Sequence, residues 1–340
     1  MIRVGIVGTT GLAGEALVRI LLGHPEVKLT CLCSDHAAGK DIAQEIPGLA
    51  KELSMAMCAS DPDRLIRETD VVFLAKKTPD SMRQIPKLLD GGVKAIDIGG
   101  EFRLKDPSAY KQWYKNEHEA PGLLAEAVYG LPELHADQIR TARLVANPGC
   151  YPTSALLPLA PLLMEGIVEP GGICIDSYSG ISGAGKTSGF SFLDCNENIR
   201  AYNVVGHKHT PEIEQELSLI AGKNLAVSFV PHLVPLERGI HTTIFATATR
   251  KSDKALHVLK AFYASAPFVR VFDDPAQVAL LNVRCTNYCD VSVALDNRAG
   301  KLIIVSAIDN TTKGAGSQAV QNMNIMFGLD ETTGLKHRSY

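Results

Sequence analysis

Residues 8–14 read Gly8-Thr9-Thr10-Gly11-Leu12-Ala13-Gly14 and separate an apolar strand at 3–7 from a helix-like stretch at 15–22. Glycines in a strand-to-helix turn allow a tight bend and let the backbone approach a pyrophosphate at the helix N-terminus. The spacing is G-x-x-G-x-x-G, whereas the usual dinucleotide-binding motif is G-x-G-x-x-G. The interpretation therefore depends on the flanking strand and helix. We expect a dinucleotide-binding loop, and the alternative is a glycine-rich packing turn.

The segments after this loop continue to alternate between strand and helix. We predict helices at 63–69 and 79–90, and strands at three places: 27–33, 70–75 and 93–98. Alternation of this kind implies a parallel sheet covered by helices on both faces, which is the Rossmann arrangement.

The pattern changes after residue 150, where strands outnumber helices. Helices fit 211–221 and 253–264, whereas strands fit 172–179, 225–230, 241–248, 291–295 and 302–307. This indicates an α+β domain with a largely antiparallel sheet. The final segment, 314–327, is predicted to be helical and to return to the first domain. The expected fold class is therefore α/β, with residues 1–148 and 310–340 forming a dinucleotide-binding domain and residues 149–309 forming a second domain.

The composition narrows the class of protein further. The net charge of −3 over 340 residues gives no reason to expect nucleic acid or an anionic membrane as a partner. No apolar run approaches the ~18 residues of a membrane span. None of the eight cysteines forms a C-x-x-C pair, and no zinc-type spacing is present, so no metal is expected. Cys31, Cys33 and Cys174 lie in apolar strand-like runs and are expected to be buried. We expect a cytoplasmic protein, since the chain starts directly into a strand with no room for a signal peptide.

Cys150 is the strongest candidate for chemistry. It follows the apolar run 142–145 and the turn Asn147-Pro148-Gly149, and it precedes an almost wholly apolar stretch at 154–164. A cysteine at the start of a helix faces unpaired backbone N–H groups and the positive end of the helix dipole, which favour the nucleophilic thiolate. The alternative is a small buried hydrophobic residue.

The end of the second predicted strand bears on the choice of cofactor. An acidic residue there binds the ribose hydroxyl of NAD, whereas NADP requires hydroxyl groups and cations. Ser34 and Lys40 favour NADP, and Asp35 opposes it. The residues alone leave this choice open.

A catalytic thiol that transfers an acyl group needs a positioned acid/base. His207 and His209 precede a helix for which Thr210 is the expected N-cap. In an extended segment, two side chains spaced in this way point to opposite sides, so only one of them can face the thiol. His36 is expected at the surface. The candidate cations for an anionic substrate are Arg103, Lys186, Arg200 and Arg238.

Ordered motifs along the whole chain resemble the N-acetyl-gamma-glutamyl-phosphate reductase family. They are the loop at 8–14 and the stretches 102–107, 126–133, 147–153, 179–185, 207–215, 307–310, 313–314 and 318–324. The resemblance implies NADPH-dependent reduction of an acyl phosphate to a semialdehyde in arginine biosynthesis. It also implies a Rossmann domain joined to a glyceraldehyde-phosphate-dehydrogenase-like catalytic domain, assembled as a homodimer or homotetramer. Two stretches, 75–81 and 97–101, depart from the family pattern where cofactor contacts are expected.

The resemblance also implies residue roles. Cys150 would be the nucleophile and His207 or His209 the acid/base, with His209 favoured, and Glu212 would lie beside them. Substrate contacts are expected from Arg103, Asn147, Ser179 and Tyr202. Contacts with NADP(H) are expected from Gly8, Thr10, Gly11, Leu12, Ala13, Gly14, Ser34, Gly180, Asn310 and Gly314. The alternatives are an aspartate-semialdehyde dehydrogenase, a non-catalytic NADP-binding redox sensor, and an enzyme in which Cys150 is merely structural.

Overall fold

The computed structural model describes residues 1–76, 79–184 and 196–335. Within these residues the chain divides into two compact units. One contains Met1–Pro148 together with the chain from Ala315 onward, and the other is Gly149–Gly314.

A parallel sheet forms the centre of the first unit, as the alternating pattern predicts. In the described part of this unit its strands are β1 (Ile2–Val7), β2 (Val27–Cys33), β3 (Val71–Leu74), β4 (Lys94–Asp97), β5 (Val128–Tyr129) and β6 (Leu144–Ala146), in the spatial order β2-β1-β3-β4-β6-β5. The helices between them are α1 (Leu12–Leu22), α2 (Ile42–Glu45), α3 (Pro62–Glu68), α4 (Pro79–Asp90), α5 (Pro107–Tyr114) and α6 (Pro132–Thr141).

The glycine turn between β1 and α1 depends on close backbone packing. Gly8 has a φ of +86°, and its carbonyl oxygen accepts a hydrogen bond from Gly11 N–H at 3.1 Å. A Cβ atom on Gly14 would lie 2.2 Å from the Gly8 oxygen. Only glycine fits at position 14, because this turn of the helix rests directly on the loop. The first turn of α1 therefore presents its backbone N–H groups beside the loop.

The second unit contains a mixed sheet that is largely antiparallel, as the sequence predicts. Its described helices and strands are α7 (Cys150–Met164), β7 (Ile173–Ser179), β8 (Arg200–Ala201), α8 (Thr210–Ala221), β9 (Val227–Leu233), β10 (Ile240–Thr247), α9 (Ala255–Phe262), β11 (Val269–Val271), α10 (Leu280–Val283), β12 (Cys289–Asp296) and β13 (Lys301–Ile308). The strand order is β11-β12-β13-β10-β7-β9-β8, with the pairs β11–β12 and β7–β9 parallel and the others antiparallel.

The long helix α7 covers the inner face of this sheet. All of its residues from Tyr151 to Leu163 are buried. Strands β7 and β10 alternate between buried and more exposed residues, so that in β10 Ile240, Thr242 and Ile244 face inward. The alternation also corrects one prediction. Cys31 and Cys33 are buried, but Cys174 is exposed, because in β7 it points to the outer face.

The last helix, α11 (Gly316–Met326), belongs to the first unit and is buried along its whole length. Amide groups join it to the end of β6. Asn322 Nδ2 donates to Gly130 O at 2.8 Å and to Asn147 Oδ1 at 3.1 Å, and Asn147 Nδ2 donates to Ala315 O at 3.2 Å. These bonds pin the chain just before the Pro148-Gly149-Cys150 turn. None of the helices described is long and apolar enough to cross a membrane.

Candidate active site

Cys150 is the first residue of α7, and Gly149 is the N-cap residue with extended backbone. The thiol is partly exposed, unlike those of Cys31 and Cys33. The thiol therefore lies at the start of α7, where a thiolate meets the N–H groups of the first turn and the positive end of the helix dipole. This placement matches the predicted strand, turn and helix.

Glu212 fixes the backbone immediately before the cysteine. Its side chain lies in the first turn of α8 and is fully buried, and its Oε1 accepts a hydrogen bond from Gly149 N–H at 2.8 Å. A buried N–H group left without an acceptor is costly, so this bond stabilises the turn. Glu212 thereby joins the start of α8 to the start of α7.

His209 lies against Gly149. A Cβ atom on Gly149 would be only 2.6 Å from His209 Nε2, so the imidazole occupies the space that any larger residue would need. His207 has a different contact: its Nδ1 accepts a hydrogen bond from His209 N–H at 3.1 Å. The structure thus places His209 next to the nucleophile candidate and gives His207 a contact that braces the turn.

Two predictions for this segment are wrong. The segment is a turn and not an extended strand, so His207 and His209 lie on the same side, with ring centroids 4.8 Å apart. Thr210 is the first residue of α8, and His209 occupies the N-cap position without a side-chain cap. The helix thus starts one residue earlier than expected.

Aromatic rings enclose the two histidines. The Tyr151 ring centroid is 5.4 Å from that of His207, 5.9 Å from that of His209 and 5.2 Å from that of Phe229. Tyr151 and Tyr202 share a hydrogen bond of 2.8 Å between their hydroxyl oxygens. Burial raises the pKa of Tyr202 to about 12 and also raises that of Tyr151, so both phenols are neutral. The sequence reasoning missed Tyr151 and Phe229, although Tyr151 directly follows the cysteine.

The remaining predicted residues of this unit lie at its strand ends. Gly314 is close to the nucleophile candidate, because a Cβ atom there would be 2.8 Å from Cys150 Cβ. Asn310 Oδ1 accepts from Gly239 N–H at 2.6 Å, and its Nδ2 donates to Ser182 Oγ at 3.0 Å. A Cβ atom on Gly180 would be 2.7 Å from backbone atoms of Glu237 and Arg238.

Ser179 ends β7 and is buried, and its Oγ donates to Gly180 O at 3.0 Å. Two of the other candidate cations lie on the described surface of the unit. Arg238 is paired with Glu237 at 3.1 Å, and Arg200 is exposed in β8. Lys186 lies outside the described residues.

Arg103 is buried in the first unit. Its Nε donates to Asn147 O at 2.8 Å, and one terminal nitrogen donates to Ile98 O at 3.0 Å. The divergent stretch 97–101 folds back on itself: the Asp97 carboxylate, fully buried, accepts from the N–H groups of Gly99, Gly100 and Phe102 at 3.0–3.2 Å. In the divergent stretch 75–81, residues 77 and 78 lie outside the described residues.

The contacts of Asp35 at the end of β2 bear on whether this residue opposes NADP. Its carboxylate accepts from Lys76 Nζ at 2.7 Å and from Ser60 N–H at 2.9 Å, so it is already neutralised. Lys40 pairs with Glu45 at 2.7 Å.

Three other polar side chains meet between the glycine loop and the end of β2. Thr10 Oγ1 lies 3.1 Å from Ser34 Oγ and 3.4 Å from His36 Nε2, and Ser34 Oγ lies 3.3 Å from His36 Nδ1. His36, expected to be an ordinary surface residue, therefore joins the predicted pair Thr10 and Ser34. Two hydroxyl groups and an exposed imidazole form a cluster that suits a phosphate group. The described residues contain no group of histidine, cysteine or acidic side chains that could hold a metal ion.

Comparison with known proteins places this geometry in a family. A semialdehyde dehydrogenase NAD-binding domain model matches residues 3–142, and a semialdehyde dehydrogenase dimerisation domain model matches residues 150–310. The chain is 46% identical to the N-acetyl-gamma-glutamyl-phosphate reductase of Symbiobacterium thermophilum over 98% of this chain and 97% of that protein. It is 47% identical to the reductase of Desulforudis audaxviator over 98% of both.

The chain belongs to the N-acetyl-gamma-glutamyl-phosphate reductase family. Solved structures extend the similarity of fold beyond that family. An aspartate semialdehyde dehydrogenase II from Vibrio cholerae has a TM-score of 0.73 at 18% identity, covering 96% of this chain and 98% of that one. The enzyme from Candida albicans solved with NADP also has a TM-score of 0.73, at 17% identity and with the same coverage. These structures confirm the predicted two-domain α/β fold.

In this reductase-family chain we predict that Glu212→Leu weakens both stability and turnover. The Gly149 N–H would lose its buried acceptor, which costs about 1–3 kcal/mol of unfolding free energy. Loss of the tether should also reduce kcat by about tenfold or more, because the nucleophile would be misplaced. Glu212→Gln keeps an oxygen acceptor and should retain more of both. Denaturant unfolding and steady-state kinetics measure the two effects.

Glu214→Leu is the matched control. It removes a comparable bond in the same helix, in which Val227 N–H donates to Glu214 Oε1 at 3.0 Å. We expect lower stability with kcat unchanged. Equal losses of kcat in the two leucine variants would contradict a positioning role for Glu212.

Proposed function

We propose that this chain reduces N-acetyl-gamma-glutamyl phosphate to N-acetylglutamate semialdehyde and phosphate with NADPH, as a step of arginine biosynthesis. The observation that carries the proposal is the placement of Cys150 at the start of α7 with His209 against the preceding glycine. The chemistry of an acyl phosphate requires these two groups: a nucleophile that displaces phosphate and a proton carrier beside it.

The first step uses the Cys150 thiolate. Its sulfur attacks the acyl carbon, the C–O bond to phosphate breaks, and phosphate leaves with that electron pair, so that a thioester forms on the enzyme. The N–H groups at the start of α7 donate toward the developing oxyanion. A thioester is a much better hydride acceptor than a carboxylate, which is the reason for the covalent route.

The second step releases the product. NADPH, when bound, supplies the hydride that converts the thioester carbonyl into a thiohemiacetal. His209 donates a proton to the thiohemiacetal oxygen and takes that proton back as the C–S bond breaks, so that the aldehyde and the Cys150 thiolate are released. We assign His209 and not His207 to this role, because the Nε2 of His209 lies against Gly149. His207 instead holds the backbone of His209.

The proposed substrate contacts are those that the resemblance to the reductase family implies. We propose that Ser179 and Tyr202 contact the substrate beside Cys150, with Tyr202 held by its bond to Tyr151. Arg103 and Asn147 are proposed to attract the phosphate end. Arg103 is a cation whose orientation is set by the carbonyls of Asn147 and Ile98. Gly180, Asn310 and Gly314 are proposed to lie on the nicotinamide side of the cofactor, as the resemblance to the reductase family implies.

The glycine loop fits the diphosphate of a dinucleotide. Gly8, Gly11 and Gly14 keep side chains out of the loop, and Leu12 and Ala13 begin the helix whose N–H groups point toward it. The cluster of Thr10, Ser34 and His36 is proposed to bind the ribose 2′-phosphate, which only NADP carries. The division into a cofactor domain at 1–148 with 310–340 and a catalytic and oligomerisation domain at 149–309 remains part of the proposal.

We predict that Cys150→Ser abolishes turnover while NADPH binding persists. A serine hydroxyl is far less nucleophilic than a thiolate and cannot form the thioester. Mass spectrometry of the wild-type enzyme mixed with substrate, without NADPH, should show an acyl adduct on Cys150. Substantial activity in the serine variant would contradict the covalent route. Turnover of the aspartyl homologue, measured in the reverse direction with phosphate, should be far slower.

We predict that His36→Ala and Ser34→Ala each raise the KM for NADPH by about tenfold and leave the KM for NADH nearly unchanged. Each variant removes one polar contact with a charged phosphate, and a hydrogen bond to a charged group contributes about 1.5–3 kcal/mol. Steady-state kinetics with both cofactors measure the effect. Lys40→Ala is the control, since its ammonium is already paired with Glu45. Equal increases for NADPH and NADH would contradict the 2′-phosphate assignment.

We also propose that the chain works as a homodimer in the cytoplasm, where NADPH is consumed and thiols stay reduced. The outer face of the second sheet is the proposed interface. Phe245 on the central strand β10 is 41% exposed, and its neighbours in register are Cys174 and Ile303. An exposed aromatic residue at the centre of a sheet face is buried when a second copy of the chain packs against that face. The matching family model is of a dimerisation domain.

We predict that Phe245→Glu lowers the molar mass in solution to that of a monomer at micromolar concentration. Two carboxylates would face each other across a two-fold interface without partners. Light scattering after size-exclusion chromatography measures the mass. Phe262→Glu is the control: Phe262 is 38% exposed but lies on α9, away from the sheet face. An unchanged mass for the Phe245 variant would exclude this face.

A further inference from the structure

Two thiols meet beside the cofactor loop of the first unit. Cys33 ends β2, and Cys58 pairs with it in an isolated parallel bridge. Their Sγ atoms are 3.3 Å apart, and both thiols are free. Cys33 is buried, whereas Cys58 is partly exposed to solvent. The predicted reaction at Cys150 uses neither of them.

We propose that Cys33 and Cys58 form an oxidisable dithiol, which a hydroperoxide closes to a disulfide and which then weakens NADPH binding. Residues paired across neighbouring strands have Cα atoms within the range that a disulfide bridges. The sulfur atoms need to approach by only about 1.2 Å to reach the S–S bond length of ~2.05 Å. The pair can therefore close with small backbone shifts.

The chemistry begins at Cys58, because it is the thiol that solvent reaches. Its thiolate attacks one oxygen of the hydroperoxide, the O–O bond breaks, and water or an alcohol leaves, so that a sulfenic acid forms. The sulfur of Cys33 attacks the Cys58 sulfur and loses its proton. The S–O bond breaks, and the leaving hydroxide takes that proton as water. Two thiols lose two electrons in all, and the hydroperoxide gains them.

Cys31 and Cys33 are not the thiols that attack the hydroperoxide first. Burial raises the pKa of the Cys33 thiol far above its usual range and that of Cys31 to about 12, so neither is the initial nucleophile. Cys31 also donates its thiol hydrogen to Glu68 Oε2 at 3.2 Å. Cys31 lies two residues from Cys33 on the same strand and is the matched control for it.

The consequence for the cofactor follows from the backbone of the two cysteines. The Cys33 carbonyl accepts hydrogen bonds from Gly8 N–H at 3.0 Å and Thr9 N–H at 3.1 Å, so it holds the start of the glycine loop. Ser34 N–H donates to Cys58 O at 3.0 Å. A disulfide draws both segments together and shifts the loop and Ser34. This effect rests on the proposed NADPH site, but disulfide formation does not.

The test uses the full chain with Cys150→Ser, so that peroxide cannot oxidise the nucleophile. The protein is treated with hydrogen peroxide, digested without reduction and examined by mass spectrometry, and NADPH affinity is measured by fluorescence titration. We expect a Cys33–Cys58 cross-linked peptide that has lost two hydrogen atoms. We expect the Kd for NADPH to rise by about three- to tenfold, the size expected from a disturbed hydrogen bond or two. Dithiothreitol should reverse both changes.

Added substitutions separate the possible outcomes. Cys58→Ser should abolish the cross-link and the change in Kd, and Cys31→Ser should retain both. A Cys58 sulfinic acid without a cross-link would overturn the proposal, and a cross-link with an unchanged Kd would overturn its effect on the cofactor. If the reduced protein fails to bind NADPH, the proposed cofactor is wrong. The cross-linked peptide then still tests whether Cys33 and Cys58 form a disulfide.

Discussion

The hydrogen bond from Gly149 N–H to the buried Glu212 carboxylate is the constraint on which the proposed active site depends. It joins the first turns of α7 and α8, and it therefore sets where Cys150 stands relative to the segment that carries His207 and His209. Position 149 must be glycine, because the His209 ring takes the place of a side chain there. One carboxylate thus fixes both the nucleophile and the proposed proton carrier.

In the first unit, backbone contacts fix the glycine loop. Gly14 rests on the Gly8 carbonyl, and the Cys33 carbonyl receives the N–H groups of Gly8 and Thr9. The loop is therefore shaped by backbone contacts before any cofactor arrives, which keeps its N–H groups oriented for a diphosphate. Asp35, which would favour NAD if it were free, is instead held by Lys76. An aspartate at this strand end therefore does not favour NAD here, because its charge is already balanced by Lys76.

The cysteines show how position determines reactivity in one chain. Cys31 and Cys33 lie in a buried strand, where low polarity disfavours the thiolate. Cys150 begins a helix and is partly exposed, so backbone dipoles can stabilise its negative charge. Aromatic rings around His207 and His209 limit water on one side of that site, and burial keeps Tyr151 and Tyr202 neutral. The proton needed in the proposed reaction therefore falls to an imidazole.

The sequence alone determined the local structure: β2 at Val27–Cys33 and α4 at Pro79–Asp90 lie where hydrophobic periodicity predicted them. It also determined the family, through motifs that depend only on order along the chain. The tertiary structure decided what each side chain contacts. It brought Lys76 to Asp35, Cys58 to Cys33 and Tyr202 to Tyr151, and it placed both histidines on one side of a turn. Periodicity is a property of neighbouring residues, whereas these contacts join residues far apart in the chain, and only the path of the folded backbone brings them together.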